Sequence, residues 1–310
     1  MLFALTLVTT TMVGGCHYLN FQTIASLPPE LTGPEPGFFQ VLAMMAAETG
    51  RLLTDPVFML HGLWYSVTIL AILGCHEMGH YLMALRYGVD VSRPYFLPAP
   101  LPLTGTLGAF IRIRSRIPSK VALFDIGIAG PLAGFVVAVP ALFLGLWMSR
   151  IDPLPTDPRI LEFTYNLGEP LLFRFASWAV WGTVANGYSI NMHPVAFAAW
   201  FGLLMTALNL FPIAQLDGGH ISYAVLGQRS TAVTIVMMLA AVGLTFFSSS
   251  WIAWTVMLLV MLITIGPRHP RTLDEHEPLD RGRLILAGVA MLILILCFTP
   301  APIGPFLGTP

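Results

Sequence analysis

His76, Glu77 and His80 stand in the run Gly74-Cys75-His76-Glu77-Met78-Gly79-His80, inside an apolar stretch from Pro56 to about Arg86. On an α-helix, residues four apart project from one face about one turn from each other, so the two imidazoles can share a tetrahedral zinc at ~2.0–2.1 Å. Glu77 lies roughly 100° round the helix from His76. There it can flank the metal without ligating it and take a proton from a metal-activated water. This is the H-E-x-x-H pattern of metal-dependent peptide hydrolysis, and it implies one Zn2+ per chain. The setting sharpens the reading, because an unpaired charge at the centre of a bilayer-spanning helix costs at least ~2.5–3.5 kcal/mol and ionisable groups there are functional by default. The bland alternative is a pair of buried histidines satisfied by backbone, with a Glu facing a water cavity.

Two histidines leave a zinc short of a protein ligand, so another apolar segment has to offer a third at similar depth. Residues 207 to 220 offer Asp217. Pro212 and Gly218-Gly219 break the helix around it, and broken backbone at membrane depth is tolerated where it lines a polar cavity. Asn209, eight residues earlier, brings an amide that can hold a substrate backbone group or a developing oxyanion.

These residues need a bundle to hold them. The chain has 310 residues, 56% apolar and only 10% charged, and it reads as an integral membrane protein. A net charge of -1 gives no global pull toward nucleic acid, and none is expected as a partner. Cys16, Cys75 and Cys297 are scattered without pairing spacing, which implies neither a disulfide framework nor a thiolate site.

The fold class expected is an all-α polytopic membrane protein. About seven transmembrane helices fall at 2 to 20, 56 to 86, 121 to 148, 194 to 216, 231 to 266 (two spans) and 284 to 298. The first segment lacks a basic n-region and reads as a retained helix rather than a cleaved signal, with the natural start left open upstream of Met1. Residues 21 to 55 read as an extramembrane loop with a short helix near 36 to 52. In the segment 88–120, Ile111 and Ile113 alternate with Arg112 and Arg114, a period-2 pattern that predicts a short re-entrant β element with an apolar and a cationic face. The third span carries Asp125, expected in a polar packing or capping role, and the small-residue run from Gly127 through Gly130-Pro131 to Gly134, which lets a neighbouring helix approach closely. An insert at 149–193, with Trp178 and Trp181, reads as interfacial.

Eleven of the fifteen Lys and Arg fall in loops on the Arg86 side. By the positive-inside rule, the C-terminal end of the metal helix faces the cytoplasm or its equivalent. Arg86 is six residues past His80 and ten past His76, so the metal is expected ~9–15 Å beneath that surface.

With both motifs in view, the chain resembles the site-2 protease family of intramembrane zinc metalloproteases. The family's H-E-x-x-H falls on His76, Glu77 and His80; its N-x-x-P-x-x-x-L-D-G on Asn209, Pro212, Leu216, Asp217 and Gly218; and its Gly-Pro pair on Gly130-Pro131. The chain has no room for the PDZ or CBS domain many members carry. It is more similar to the PDZ-lacking branch of the plant chloroplast ethylene-dependent gravitropism-deficient and yellow-green proteins and their bacterial relatives.

The resemblance implies a single protease domain over 1–310 with a three-helix catalytic core at 57–217. Its metal ligands are His76, His80 and Asp217, and its base is Glu77. Asn209, Ile111 and Ile113 are expected to engage substrate, and Gly130, Pro131, Pro212, Gly218 and His220 to serve structurally around the metal. The implied activity is hydrolysis of peptide bonds in or near transmembrane segments of membrane proteins, in a bacterial inner membrane or an organelle membrane. Two rival readings are a transporter and a non-proteolytic metal-binding protein with the same ligands. A transporter would spread its ionisable groups over several depths, whereas here Glu77 and Asp217 converge. A prenyl-protein peptidase would use a Glu as third ligand, which the Leu216-Asp217-Gly218 stretch argues against. The other histidines, His17, His61, His193, His269 and His276, have no partner spacing and are expected at interfaces or in loops.

Overall fold

A computed structural model describes residues 1–23, 50, 54–99, 101, 103–154 and 165–305. The short helix expected near 36 to 52 falls almost wholly outside them.

Helix α1 (Leu2–Thr23) carries four threonines in its first half, and the hydroxyls of Thr6, Thr9, Thr10 and Thr11 each bond the carbonyl four residues back, so they do not interrupt it. Helix α2 (Pro56–Arg86) starts where Asp55 accepts from the Val57 N–H at 2.8 Å and Pro56 takes a first-turn position that needs no donor. It stops at Tyr87 and Gly88, whose φ of 66° suits glycine. The two helices run antiparallel in close contact. Gly14 sits against Tyr65 and Gly62 against the Thr11 carbonyl, while the Thr10 and Ser66 hydroxyls share a 2.5 Å bond.

Strands β1 (Tyr95–Pro98) and β2 (Thr106–Phe110) form an antiparallel hairpin in which Tyr95 faces Phe110 and the register slips at Leu97/Pro98. Its tip lies alongside the middle of α1 and α2. Leu103 O and Thr104 O accept from the Tyr65 hydroxyl at 3.2 and 3.3 Å, and Gly105 O accepts from Thr9 Oγ1 at 2.7 Å. Tyr65 precedes His76 by eleven residues, ~16 Å along the helix. The strand expected through Ile111–Arg114 is corrected in position: the regular ladder ends at Phe110. Beyond it Ile113 forms a single bridge with Val91, and Ser92 N donates to Arg112 O. Ile111 packs on Val89 and Val91, but Ile113 is 37% exposed and does not rest on the bundle.

Helix α3 (Lys120–Trp147) is capped by Ser119, which accepts from the Ala122 N–H. After it come β3 (Arg150–Pro153), β4 (Tyr165–Leu167), helix α4 (Leu171–Trp181) and β5 (Tyr188–Asn191), with β3 paired antiparallel to β5. Helix α4 buries Phe173 and Ala176 and exposes Phe175 and Trp178. Trp181 Nε1 donates to Leu146 O at 2.9 Å and ties α4 to the end of α3.

Helix α5 (Pro194–Leu210) is buried on nearly every side, with Trp200 and Leu203 fully enclosed between α2, α3 and the later helices. It ends six residues before the expected limit of 216. The break at 211 to 216 includes Ala214 with φ 44°, and the chain resumes as α6 (Asp217–Leu226). A 3-10 turn at Gly227–Arg229 leads to α7 (Ser230–Phe247), which returns past the break, where Thr234 Oγ1 accepts from Ala214 N at 3.2 Å. Helices α8 (Trp251–Ile265) and α9 (Arg281–Cys297) follow, and β6 (Ile303–Pro305) pairs with β4.

The chain is thus mostly helical, and an apolar helix lies in every stretch marked for one. Among the described residues, four stretches qualify by length and apolarity to cross a membrane: Leu2–Gln22, Pro56–Arg86, Lys120–Met148 and Asp217–Phe247, the last being α6 and α7 together. Near one end of the bundle, Asp125 on α3 accepts from Tyr87 at the end of α2 at 2.5 Å and from the Arg283 guanidinium of α9 at 2.6 and 2.8 Å. That is the polar packing its position implies.

Candidate metal centre

The helical spacing of four brings His76 and His80 onto the face of α2 that meets α3, and α3 makes room for them by lacking side chains. A Cβ on Gly130 would fall within the His80 ring, and one on Gly134 would press on the His76 Cβ at 3.2 Å. His80 Nδ1 lies 2.7 Å from Ile126 O. A carbonyl can only accept, so Nδ1 carries the proton and Nε2 is left with its lone pair directed inward, the arrangement that orients a ligating histidine.

Asp217 arrives from the break after α5. Gly218 and Gly219 pack directly on the carbonyls of Leu210 and Ala214, so a side chain at either would push the first turn of α6 away. With this packing Asp217 Oδ2 lies 3.2 Å from His76 Nε2, Asp217 Oδ1 3.3 Å from His80 Nε2, and the two Nε2 atoms 3.1 Å from each other. Ligand atoms on a tetrahedral zinc with 2.0–2.1 Å bonds stand about 3.3–3.4 Å apart. Each of these separations is close to that, the two Asp217 contacts being made by different oxygens, and one ligand atom from each of the three residues lies within 4.8 Å of the others. The chemistry fits as well, since two imidazoles and a carboxylate converging in a buried space are a donor set that a divalent cation satisfies. Among the described residues this is the one group of three or more His, Cys, Asp or Glu that could hold a metal.

Glu77 is buried with Oε1 4.0 Å from His76 Nε2, beside the group of three rather than in it, and the Ile111 backbone N–H faces its carboxylate. Asn209 Nδ2 is 3.3 Å from His76 Nε2. The structure therefore brings together His76, Glu77, His80, Asn209 and Asp217, with Ile111 present through its backbone. Ile113 is not in this cluster. Pro212 lies in the break before Asp217 and Pro131 in α3, the helix packed on the His76 and His80 face, and His220 is directed elsewhere, with Nδ1 2.6 Å from His269 Nε2.

Two histidine pairings escape sequence reasoning. His220 with His269 is one; the other is His61 Nδ1, 3.1 Å from His193 Nε2, with Tyr18 stacked on the His61 ring. Their partners lie 49 and 132 residues away, where no spacing rule reaches. In the segment outside the spans beyond α8, burial holds His269 below its ordinary value, against the opposing pull of the Pro270 carbonyl and the Glu275 charge. Burial would raise Glu275, but hydrogen bonds from Thr272 and Tyr223 and the charge of Lys120 outweigh it and hold the carboxyl below its ordinary range.

A family model described as Peptidase family M50 matches residues 64–250. Among curated proteins, the chain is similar to the probable zinc metalloprotease EGY2, chloroplastic, of Oryza sativa subsp. indica, 29% identical over 250 residues that cover 79% of this chain and 44% of that protein. It is 29% identical over 234 residues to the probable zinc metalloprotease EGY1, chloroplastic, of Arabidopsis thaliana, covering 75% and 42%. To the probable zinc metalloprotease EGY3, chloroplastic, of Oryza sativa subsp. indica it is 33% identical over 263 residues, covering 78% and 43%. The chain spans under half the length of these relatives.

Proposed function

This chain belongs to peptidase family M50, and from that premise we propose that it is an intramembrane zinc metalloprotease in which His76, His80 and Asp217 hold one zinc and Glu77 is the base. The observation that carries the reading is the convergence of two Nε2 atoms and the Asp217 carboxylate at 3.1–3.3 Å, with a second, non-ligating carboxyl beside them. Relatives named as zinc metalloproteases support the choice of metal. The transporter and the non-proteolytic binding protein find no comparable support.

Zinc, when bound, lowers the pKa of a water and polarises the scissile carbonyl. Glu77 then takes the water's proton and delivers it to the departing amine nitrogen, the usual double duty of a carboxyl within reach of both. Asn209 donates from Nδ2 to a carbonyl of the substrate or to the charge that develops on it. Burial of these groups keeps bulk water from weakening the interactions.

The finer picture is one of seven spans, α5 and α6 forming a single interrupted one, with Arg86, Arg114, Lys120, Arg268 and Arg283 on the cytoplasmic side or its equivalent. The substrate is a transmembrane segment of another protein. Peptide hydrolysis requires an extended backbone, since a helix keeps its carbonyls bonded internally. The hairpin of β1 and β2, re-entering from the Arg86 side, has an outer edge on β2 that can pair with an unwound substrate strand.

The test is cleavage of a reconstituted transmembrane substrate by the purified chain with zinc content measured in parallel. Glu77→Gln is expected to keep stoichiometric zinc and lose cleavage by a factor of ~10² or more. His80→Ala is expected to lose the metal. Ile111→Pro, which removes the amide facing Glu77, is expected to cut activity with zinc retained. Undiminished cleavage by Glu77→Gln would refute the mechanism, and wild-type activity of Ile111→Pro would refute a role for the Ile111 amide beside Glu77.

A further inference from the structure

Beyond α8 the chain turns at Gly266 and lies back over the outer ends of α3 and α6 before entering α9. Its backbone is fastened to the segment before α3, with Leu273 N donating to Ile117 O at 3.1 Å and Asp274 N to Pro118 O at 2.9 Å. Its side chains fasten it to α6. Tyr223 donates to Glu275 Oε1 at 3.0 Å, and the His269 ring stacks on Tyr223 at 4.4 Å while meeting His220 edge-on.

The protons on the two imidazoles can be assigned. His269 Nδ1 is 2.6 Å from Pro270 O, a carbonyl, so Nδ1–H donates. In the neutral ring Nε2 is then an acceptor, and the partner at 2.6 Å, His220 Nδ1, is the donor. His220 in turn is wedged between this segment and α3: a Cβ on Gly127 would stand 3.0 Å from the His220 Cβ and 3.5 Å from the Asp217 backbone oxygen. The first turn of α6 is thus gripped on one side by α3 and on the other by His269. That turn begins with Asp217, whose two oxygens reach both histidines.

We propose that His269 is a positioning residue for the metal centre: by accepting the His220 Nδ1–H bond it fixes the first turn of α6 where Asp217 meets His76 and His80. The role rests on the metal-site reading above. His269 touches neither metal nor substrate; it acts through His220 and the helix turn. Groups bonded directly to a ligand typically tune metal affinity by about 10–100-fold, and His269, one step further out, is expected at the lower end of that range.

The experiment uses the purified full chain and Co2+, titrated against a chelator, with the visible absorption of the bound ion as a report on its geometry. His269→Ala is expected to weaken Co2+ by about tenfold or more and to alter the absorption bands. His269→Gln, whose amide oxygen can accept the same bond, is expected to restore both. Tyr223→Phe loosens the same segment at Glu275 but leaves the imidazole pair, and is expected to bind Co2+ as wild type does. If the His269→Ala chain fails to fold, His220→Phe removes the same bond from the donor side and carries the same expectation. Wild-type affinity and spectrum in His269→Ala, with binding lost in His80→Ala, would overturn the proposal and leave the metal site standing. Equal losses in His269→Ala and Tyr223→Phe would overturn it too, by assigning the effect to docking of the whole segment. Tight saturable binding retained by His80→Ala would instead refute the metal site itself.

Discussion

Gly130 on α3 lies so close to His80 on α2 that any side chain at 130 would occupy the space of the imidazole. The contact explains why a glycine followed by Pro131 stands in the middle of a buried helix, a place where both residues ordinarily weaken structure. The α3 backbone has to pass directly under the His80 ring, and only an absent Cβ allows it.

A methyl group at that point tests the relationship. Gly130→Ala is expected to displace the His80 ring, weaken zinc by at least ~10-fold and lower stability by about 1–3 kcal/mol through overpacking. Gly288→Ala in α9 is the control, because nothing lies within 4 Å of its added Cβ and a helical Gly-to-Ala change there is neutral or stabilising by up to ~1 kcal/mol. Zinc competition and thermal melts of both variants decide it. Equal behaviour of the two would remove the packing argument.

The proposed orientation of the bundle gives a second expectation. Single cysteines at Ser115 and Arg268, in a chain without Cys16, Cys75 and Cys297, should react with an impermeant maleimide from the side that holds most cations, and one at Arg174 from the other. Both Ser115 and Arg268 are exposed. Thr272, in the same loop as Arg268, is a poor probe, since it is buried and its amide and hydroxyl both bond Glu275. Labelling of Ser115 and Arg268 from the side that labels Arg174 would overturn the orientation.

How much of this was legible in the sequence follows from the range of each interaction. His76, Glu77 and His80 act through a spacing of three and four on one helix, which a sequence displays directly. Asp217 was legible because Pro212 and Gly218-Gly219 mark irregular chain around it, although the break itself lies at 211 to 216 and both glycines belong to the first turn of α6, where they allow close packing. The hairpin was half legible. Alternation from Ile111 to Arg114 marks extended chain, but pairing depends on the partner strand: Tyr95–Pro98 ends its register at Phe110, leaving Ile113 a lone bridge to Val91. The end of α5 at Leu210 rather than 216 reflects the turn that inserts Asp217 among the histidines, which apolar content alone does not reveal. His269 was not legible at all, because an imidazole in a loop has no periodicity and its partner is set by how the loop folds back.

Acid gives the last expectation, for the segment from 267 to 280. Burial depresses His269, so the folded arrangement favours its neutral ring and the docking it contributes is complete above the ordinary value of 6.5 and diminishes as pH falls below it. Glu275 is depressed by its hydrogen bonds and by Lys120, so its contribution is complete above 4.5 and is lost as pH falls through its lower folded value. Both signs agree: acidification loosens the segment, first through His269, whose protonated Nε2 can no longer accept from His220, and then through Glu275. A spin label at Arg271 should therefore gain mobility in two stages between pH 7 and 3. His269→Gln should remove the upper stage and Glu275→Gln the lower. A label whose mobility is unchanged across that range, in a chain that remains folded, would show that neither group holds the segment down.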